Sequence, residues 1–195
     1  MLRKFYRYWL SKRGWSFQGN FEPRPDKYII IIAPHTANED FIIGIMARSV
    51  LGLRSTKFLG KSQLFKFPFG VIFRALGGYP VVRTKDNNLV DAVTEIFNKH
   101  QKFSIALAPE GTRSKVNRLK TGFYYIAKKA NIPIYAVGFD YPTKTIIVAD
   151  PFYPTDNFEK DIRLLFTFYS DIKGKNPELG FGSSTVDKTI ECQGL

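Results

Sequence analysis

The chain has 195 residues, 44% hydrophobic and 15% aromatic, which is enough for one hydrophobic core and short for two. Its net charge of +12, from 29 Lys and Arg against 17 Asp and Glu, indicates an anionic partner. Two His and one Cys do not make a metal-ligand set, and the single Cys192 excludes an internal disulfide. We therefore predict a single domain over residues 1–195, without a metal site, in a reducing compartment.

Residues 1–20 form a basic amphipathic segment. Aromatic and aliphatic side chains recur at helical spacing over residues 2–13, together with five basic residues and no acidic one. A helix of this kind, with Trp9 on its apolar side, suits an anionic membrane surface, but it could equally dock on the protein's own core. No stretch is long and apolar enough for a signal peptide or a transmembrane helix. We expect a cytoplasmic protein that is peripheral on the inner face of the membrane.

Short apolar runs alternate with helical patterns along the rest of the chain. This alternation predicts a single α/β domain with a mostly parallel central sheet, flanked by helices on both faces. Strands are predicted near residues 28–34, 56–60, 79–83, 103–108, 134–139 and 145–149. Helices are predicted near residues 38–51, 62–76, 87–100, 121–130 and 157–173.

Two segments have a less regular pattern. The aromatic-rich helix over residues 62–76 could wall a tunnel for an acyl chain, but such a segment is more often plain core. Residues 175–195 carry few core hydrophobes, and we expect a loosely packed C-terminal tail there.

His35 and Asp40 lie just after the first long apolar run, which ends at Pro34. An imidazole at a strand end and a carboxylate in the first turn of the next helix can face each other across one bend. That pair is a general base with its orienting acid, which is what deprotonating a hydroxyl requires. On spacing alone, a helix cap and a surface His remain the simpler interpretation.

A second constellation, Pro109-Glu110-Gly111-Thr112-Arg113-Ser114, follows the predicted strand at 103–108. Gly111 permits close backbone approach, and the amides of Gly111, Thr112 and Arg113 can converge on an oxygen or a phosphate. The guanidinium of Arg113 has the planar fork that suits phosphate. A structural turn would not need this set of polar side chains, so the second constellation favours a functional role for the first.

His-x4-Asp followed by Pro-Glu-Gly-Thr-Arg-Ser resembles the glycerolipid acyltransferases of the lysophosphatidate (1-acyl-sn-glycerol-3-phosphate) acyltransferase type. Between the two motifs, Gly77–Arg83 is similar to that family's second block, and Ile132–Val137 is similar to its fourth. The order and spacing match over about residues 28–140. The resemblance implies that Arg83 binds substrate. It also favours Lys61, with the Gly111 amide, as a donor to the carbonyl oxygen on which negative charge develops.

The predicted reaction is O-acyl transfer in phospholipid biosynthesis. His35, held by Asp40, takes the proton of an acceptor hydroxyl, which then attacks a thioester carbonyl without an acyl-enzyme. The acyl group arrives as a thioester of CoA (acyl-CoA) or of acyl carrier protein, which is a co-substrate. We expect no bound cofactor. Arg83 and Arg113 would hold the phosphate of a lysophosphatidate-like acceptor, and Glu110 would orient an Arg or accept from an acceptor hydroxyl. His35, Arg83 and Glu110 each follow a predicted strand, so they can line one crevice.

Two other functions stay open at this point. One is acyl transfer to a different lysolipid, such as an amino-acid lipid or a lysophospholipid in remodelling. The other is a non-catalytic protein that binds anionic membranes. The basic residues are spread along the chain without a nucleic-acid motif, so we expect no nucleic-acid partner.

Overall fold

The computed structural model describes residues 2–81 and 89–192, apart from the side chains of Lys61, Leu64 and Val81. Within these residues, one seven-stranded sheet forms the centre of the fold. Its strands are β1 (Ser16–Gln18), β2 (Lys27–Ile32), β3 (Lys57–Lys61), β4 (Gly78–Val81), β5 (Phe103–Leu107), β6 (Ile134–Asp140) and β7 (Thr145–Val148). The helices are α1 (Leu2–Lys12), α2 (Glu39–Val50), α3 (Gly70–Ala75), α4 (Leu89–Lys99), α5 (Gly122–Ala130), α6 (Phe158–Thr167) and α7 (Ser183–Glu191). Short 3₁₀ helices span Ser62–Phe65 and Pro177–Leu179.

The strand order is β1-β7-β6-β2-β5-β3-β4. Every neighbouring pair is parallel except β6 and β7, which are antiparallel. The central strand β2 is buried from Tyr28 to Ile31, because both of its faces are covered. The predicted mostly parallel α/β sheet is confirmed.

Helices cover both faces of the sheet. One hydrophobic cluster joins the sheet to α4, α5, α6 and α7, with Phe97, Phe123, Phe166 and Val186 among its members. The cluster on the opposite face is built with α1 and α2, and Leu10 and Met46 belong to it. The predicted helical layers on both faces are therefore also confirmed.

The helix α1 packs against α2 by one side only. Leu10 is fully buried in the core beneath it, and Tyr6 and Trp9 are half-buried against the same cluster. The Arg3 guanidinium donates from Nε to the Val50 carbonyl at 2.8 Å, which fixes the start of α1 beside the end of α2. Of the two alternatives left open for this helix, docking on the protein's own core therefore occurs for one side of α1. An apolar row of three side chains nevertheless stays exposed on α1: Leu2, Phe5 and Tyr8.

In the part of the chain that the structure describes, no helix combines the length and the apolar character that crossing a bilayer would require.

The prediction of a loosely packed tail over residues 175–195 is wrong for its described part. Residues 177–179 form a 3₁₀ turn, and α7 packs against α6 with Val186 and Thr189 buried. The Thr189 hydroxyl also accepts a 2.8 Å hydrogen bond from the Leu119 amide. The segment looks polar in sequence because α7 needs only a narrow apolar stripe to cover the edge of the core.

The single helix predicted over residues 62–76 is interrupted. A 3₁₀ turn ends at Phe65 and α3 begins only at Gly70, because Pro68 has no amide proton and cannot sit inside a continuous helix. The expectation that this stretch is plain core is also wrong. Phe65 is buried, but Phe67 is 92% exposed and Phe69 is 65% exposed.

Candidate active site

The two sequence motifs meet at one edge of the sheet. Strand β2 pairs in parallel with β5, with Ile31 opposite Leu107, so the segments that follow the two strands lie side by side. One carries His35 and the other carries Glu110 and Gly111. The predicted convergence of the strand ends is therefore present for the described residues.

Asp40 accepts several of the hydrogen bonds that hold residues 35–40, which we call the histidine loop. Its Oδ2 accepts the amides of Thr36 and Ala37, each at 2.9 Å, and lies 3.1 Å from His35 Nδ1. Its Oδ1 accepts a 2.6 Å hydrogen bond from the Tyr141 hydroxyl. Only 2% of Asp40 is exposed, while His35 keeps part of its ring open to the cavity described below. Since Nδ1 faces Asp40, Nε2 is the ring nitrogen left to take a proton.

The environment of Asp40 keeps it ionised. Burial by itself raises the pKa of a carboxyl group, but the hydrogen bonds from His35, Tyr141 and the Ala37 amide outweigh that cost. The net result is that the pKa of Asp40 is below its ordinary value. Asp40 also lies in the first turn of α2, where the helix dipole favours a negative charge.

Tyr141, which the sequence did not identify, supports this carboxylate from the end of β6. Its ring meets Trp15 edge-on, with 5.2 Å between ring centroids. Burial, followed by the hydrogen bond to Asp40, raises the pKa of the Tyr141 hydroxyl, so the group remains protonated and can donate.

Glu110 contacts the backbone of the histidine loop. Its Oε1 accepts the His35 amide at 2.9 Å, whereas its buried Oε2 has no hydrogen-bond partner among the described residues. Burial is the main reason that the pKa of Glu110 is raised above its ordinary value. Glu110 is not among the residues that line the cavity, and its described hydrogen bond is with the His35 backbone. The predicted contact with an acceptor hydroxyl or an Arg stays a prediction.

The loop after Glu110 faces the cavity. Gly111 has a φ of 66°, a backbone conformation that favours glycine, and a Cβ placed there would lie 2.7 Å from Lys120 Nζ. The Gly111 amide donates to the Ala108 carbonyl at 3.1 Å, so the prediction that this amide faces a reacting oxygen is wrong. Gly111, Thr112 and Arg113 do line the cavity. Lys120 lines it too, as a cation that sequence reasoning missed because no motif includes it.

The cavity has a volume of about 690 Å³, within the usual range for ligand sites. His35 and Asp40 line the cavity together with the loop cations Arg113 and Lys120. The cavity also has an apolar wall, formed by residues of α2, the sheet and the chain near them: Ile30, Ile32, Gly44, Ala47, Leu51, Leu53, Val137 and Phe139. Arg48, Thr56 and Lys57 line the cavity as well.

Two predicted site residues are not located by the structure. Arg83 lies outside the described residues, and Lys61 is described only as the last backbone position of β3. Among the residues that are described, no group of His, Cys, Asp and Glu is arranged to hold a metal ion.

A family model described as Acyltransferase matches residues 17–140, which include both motifs and the sheet from β1 to β6. The chain belongs to the acyltransferase family. Comparison with curated protein sequences gives no match. The resemblance seen in the sequence is thus supported by the family model itself, and the acyltransferase match places the His35–Asp40 pair within the matched domain.

Among solved structures, this acyltransferase is similar to the 1-acyl-sn-glycerophosphate (LPA) acyltransferase PlsC from Thermotoga maritima. The TM-score is 0.55 at 20% sequence identity, over 86% of this chain and 74% of that chain. At this identity the similarity establishes a shared fold.

Proposed function

We propose that the protein is an O-acyltransferase that moves an acyl group from a thioester to the hydroxyl of a lysophosphatidate-like acceptor, with His35 as the general base. The observation that carries the proposal is the position of the His35–Asp40 pair in a cavity whose lining combines an apolar wall with the loop cations Arg113 and Lys120. The name of the structural neighbour, an LPA acyltransferase, points to the same acceptor class.

In this reaction, His35 Nε2 takes the proton of the acceptor hydroxyl while the hydroxyl oxygen attacks the thioester carbonyl. Asp40 holds the ring through Nδ1 and stabilises the imidazolium that forms. The tetrahedral intermediate then collapses, the carbon–sulfur bond breaks, and the proton on His35 passes to the departing thiolate. The products are an ester and a free thiol, and no acyl-enzyme is needed.

Different parts of the cavity bind different parts of the substrates. The apolar wall beside α2 takes the acyl chain, since hydrocarbon is favourably removed from water there. Arg113 and Lys120 take the acceptor's phosphate, joined in our proposal by Arg83 from outside the described residues. With the Gly111 amide occupied, Lys61 and the amides of Thr112 and Arg113 are the remaining candidate donors to the carbonyl oxygen.

The acceptor is a lipid, so we propose that the protein works as a peripheral protein on the cytoplasmic, anionic face of a membrane. The exposed apolar row of α1, together with the basic residues of that helix, is suited to a bilayer interface. The acyl donor, acyl-CoA or acyl carrier protein, reaches the site from the aqueous side.

The proposal is tested by measuring thiol release from acyl-CoA and from acyl carrier protein across a panel of lysolipids. We expect release with lysophosphatidate and little with neutral lysolipids. An amino-acid lysolipid in the panel tests the alternative acceptor class. A protein that only binds anionic membranes would release no thiol with any donor or acceptor, and that outcome would overturn the proposal.

A further inference from the structure

Residues 66–74, which we call the aromatic segment, carry an apolar surface that nothing in the described structure covers. Phe67 is 92% exposed, Phe69 65%, Val71 67% and Ile72 58%. Large apolar side chains are usually inside a folded protein, and a run of them on the outside marks an interaction site.

The sequence around the aromatic segment is basic. Lys66 and Arg74 at its two ends are exposed. Between Phe41 and Lys85 the chain has eight Lys or Arg and no Asp or Glu. An exposed apolar surface inside a stretch of one charge sign is the composition of a segment that lies on an anionic bilayer.

The aromatic segment is also placed beside the active site. It follows β3, and β3 pairs in parallel with β5, so the segment leaves the sheet at the edge where His35 and Gly111 lie. Phe58 of β3 lines the cavity and meets Phe41 of α2 edge-on, with 5.6 Å between centroids. Phe41 lines the cavity as well and is partly exposed, so apolar surface reaches the cavity itself.

We propose that the aromatic segment is a membrane-docking surface, through which the cavity receives its lipid acceptor directly from an anionic bilayer. This inference deepens the proposed function, on which the acceptor's identity rests, and adds a surface distinct from α1. Phe67 and Phe69 enter the interface between lipid headgroups and acyl chains, and Lys66 and Arg74 bind the anionic headgroups.

The observations favour a bilayer over the two other occupants that could cover this surface. A second copy of the chain would bring the same cations face to face, which is unfavourable for a protein of net charge +12. An acidic carrier protein would pair with the cations, but charge pairing would not remove the four exposed apolar side chains from water. A bilayer accommodates both.

The test is binding of the full chain to vesicles of phosphatidylcholine, with and without phosphatidylglycerol, measured by co-sedimentation in the absence of substrates. The variant combines Phe67→Ser with Phe69→Ser. The matched control combines Tyr153→Ser with Leu164→Ser, because both side chains are also exposed. Tyr153 is far from the aromatic segment: it follows Phe152, which pairs with Ile134 at the start of β6. Unchanged thermal unfolding verifies that both variants are folded.

We expect the wild type and the control to bind the mixed vesicles alike, and the aromatic-segment variant to bind about tenfold more weakly or worse. Lys66→Gln should reduce the preference for phosphatidylglycerol. The aromatic-segment variant should keep its activity on a water-soluble acceptor and lose it on a vesicle-embedded one.

Several outcomes would overturn the inference. Wild-type binding by the aromatic-segment variant is one, and loss of all binding from Phe5→Ser with Tyr8→Ser is another, because the intact aromatic segment would then not bind the bilayer by itself. Loss of acyl carrier protein binding, or of a dimer, with vesicle binding intact would assign the surface to that partner. Because vesicle binding needs no substrate, an absence of thiol release would refute the proposed function and leave this measurement valid.

Discussion

The Tyr141 hydroxyl donates a 2.6 Å hydrogen bond to Asp40 Oδ1, joining two residues that are 101 positions apart in the chain. Asp40 in turn faces His35 through its other oxygen. The orientation of the His35 ring therefore depends on Tyr141, which directly follows β6 and is far from His35 in sequence.

Tyr141→Phe should lower kcat while the fold persists. The variant keeps the ring that packs against Trp15 but removes a hydrogen bond to a charged group, which contributes about 1.5–3 kcal/mol. We expect kcat to fall by about tenfold. Tyr124→Phe is the control, since Tyr124 donates to a buried carboxylate elsewhere, Asp161 at 2.9 Å. Equal losses of kcat in the two variants would show that Tyr141 acts only on stability.

His35→Ala should abolish most of the activity and leave the fold intact. Loss of a general base typically lowers the rate by roughly 10²–10⁴. His100→Ala is the matched control, because His100 is exposed after α4 and its ring contacts the Ile96 carbonyl and Phe103. Thiol release measures the activity, and circular dichroism verifies that each variant is folded. Turnover of His35→Ala within a few-fold of wild type would contradict the mechanism.

Arg113→Ala should weaken use of the acceptor more than use of the thioester. The lost charged hydrogen bond is expected to raise the KM for a phosphate-bearing acceptor by about tenfold or more. Arg118→Ala provides the control from the same loop, because Arg118 is exposed and is not among the cavity-lining residues. The phosphate assignment fails if the KM for the acceptor is unchanged in Arg113→Ala.

Gly44→Leu should shorten the acyl chain that the protein accepts. Gly44 lies on the cavity side of α2, where an added Cβ would be 3.8 Å from the Phe139 ring, an ordinary contact. A leucine therefore fits the backbone but fills the apolar space, and helix propensity favours it over glycine by about 0.8 kcal/mol. We expect at least a tenfold lower kcat/KM with long-chain donors (on the order of the transfer energy of two buried CH₂ groups) and little change with short ones.

Gly44→Ala is the control for that experiment and should accept long chains. A uniform loss of activity across all donor lengths in Gly44→Leu would show that the acyl chain does not occupy this wall.

Glu110→Gln should change how stability depends on pH. The pKa of Glu110 is raised in the folded protein, so its favourable contribution is present below the unfolded value of about 4.3 and is lost as pH rises through the folded pKa. Glutamine does not titrate. The free energy of unfolding of the variant relative to wild type should therefore increase with pH over that range. Urea unfolding at a series of pH values measures both free energies of unfolding. A difference between them that stays constant with pH would contradict the raised pKa of Glu110.

The sequence was sufficient for the parts of the molecule that depend on local pattern. The run Tyr28–Ile32 predicted a buried strand, and the residues at its end predicted the His35–Asp40 pair at a strand edge. Both follow from apolar periodicity and from residue types that lie within a few positions of one another.

Features that depend on distant contacts were not predictable. Tyr141 meets Asp40 only because β6 is next to β2 in the sheet, and strand order is not encoded in local spacing. The sequence does not show that the Gly111 amide already donates to the Ala108 carbonyl, because that bond depends on how the backbone turns between the two residues. The strand β1 has only three residues and is held by its pairing with β7. Three residues are too few to show the alternation of apolar and polar side chains that predicts a strand.

Residues near the C-terminal end of the described chain contact the histidine loop. Asn176 donates to Thr36 twice, from its amide at 3.1 Å and from its side chain at 2.8 Å, and Lys175 forms an ion pair with Glu39. In synthesis from the ribosome, the partner that completes the hydrogen bonds of Thr36 is added only 140 residues later. A fragment that stopped before Lys175 would therefore carry both motifs but lack the contacts that hold Thr36 and Glu39, the neighbours of His35 and Asp40.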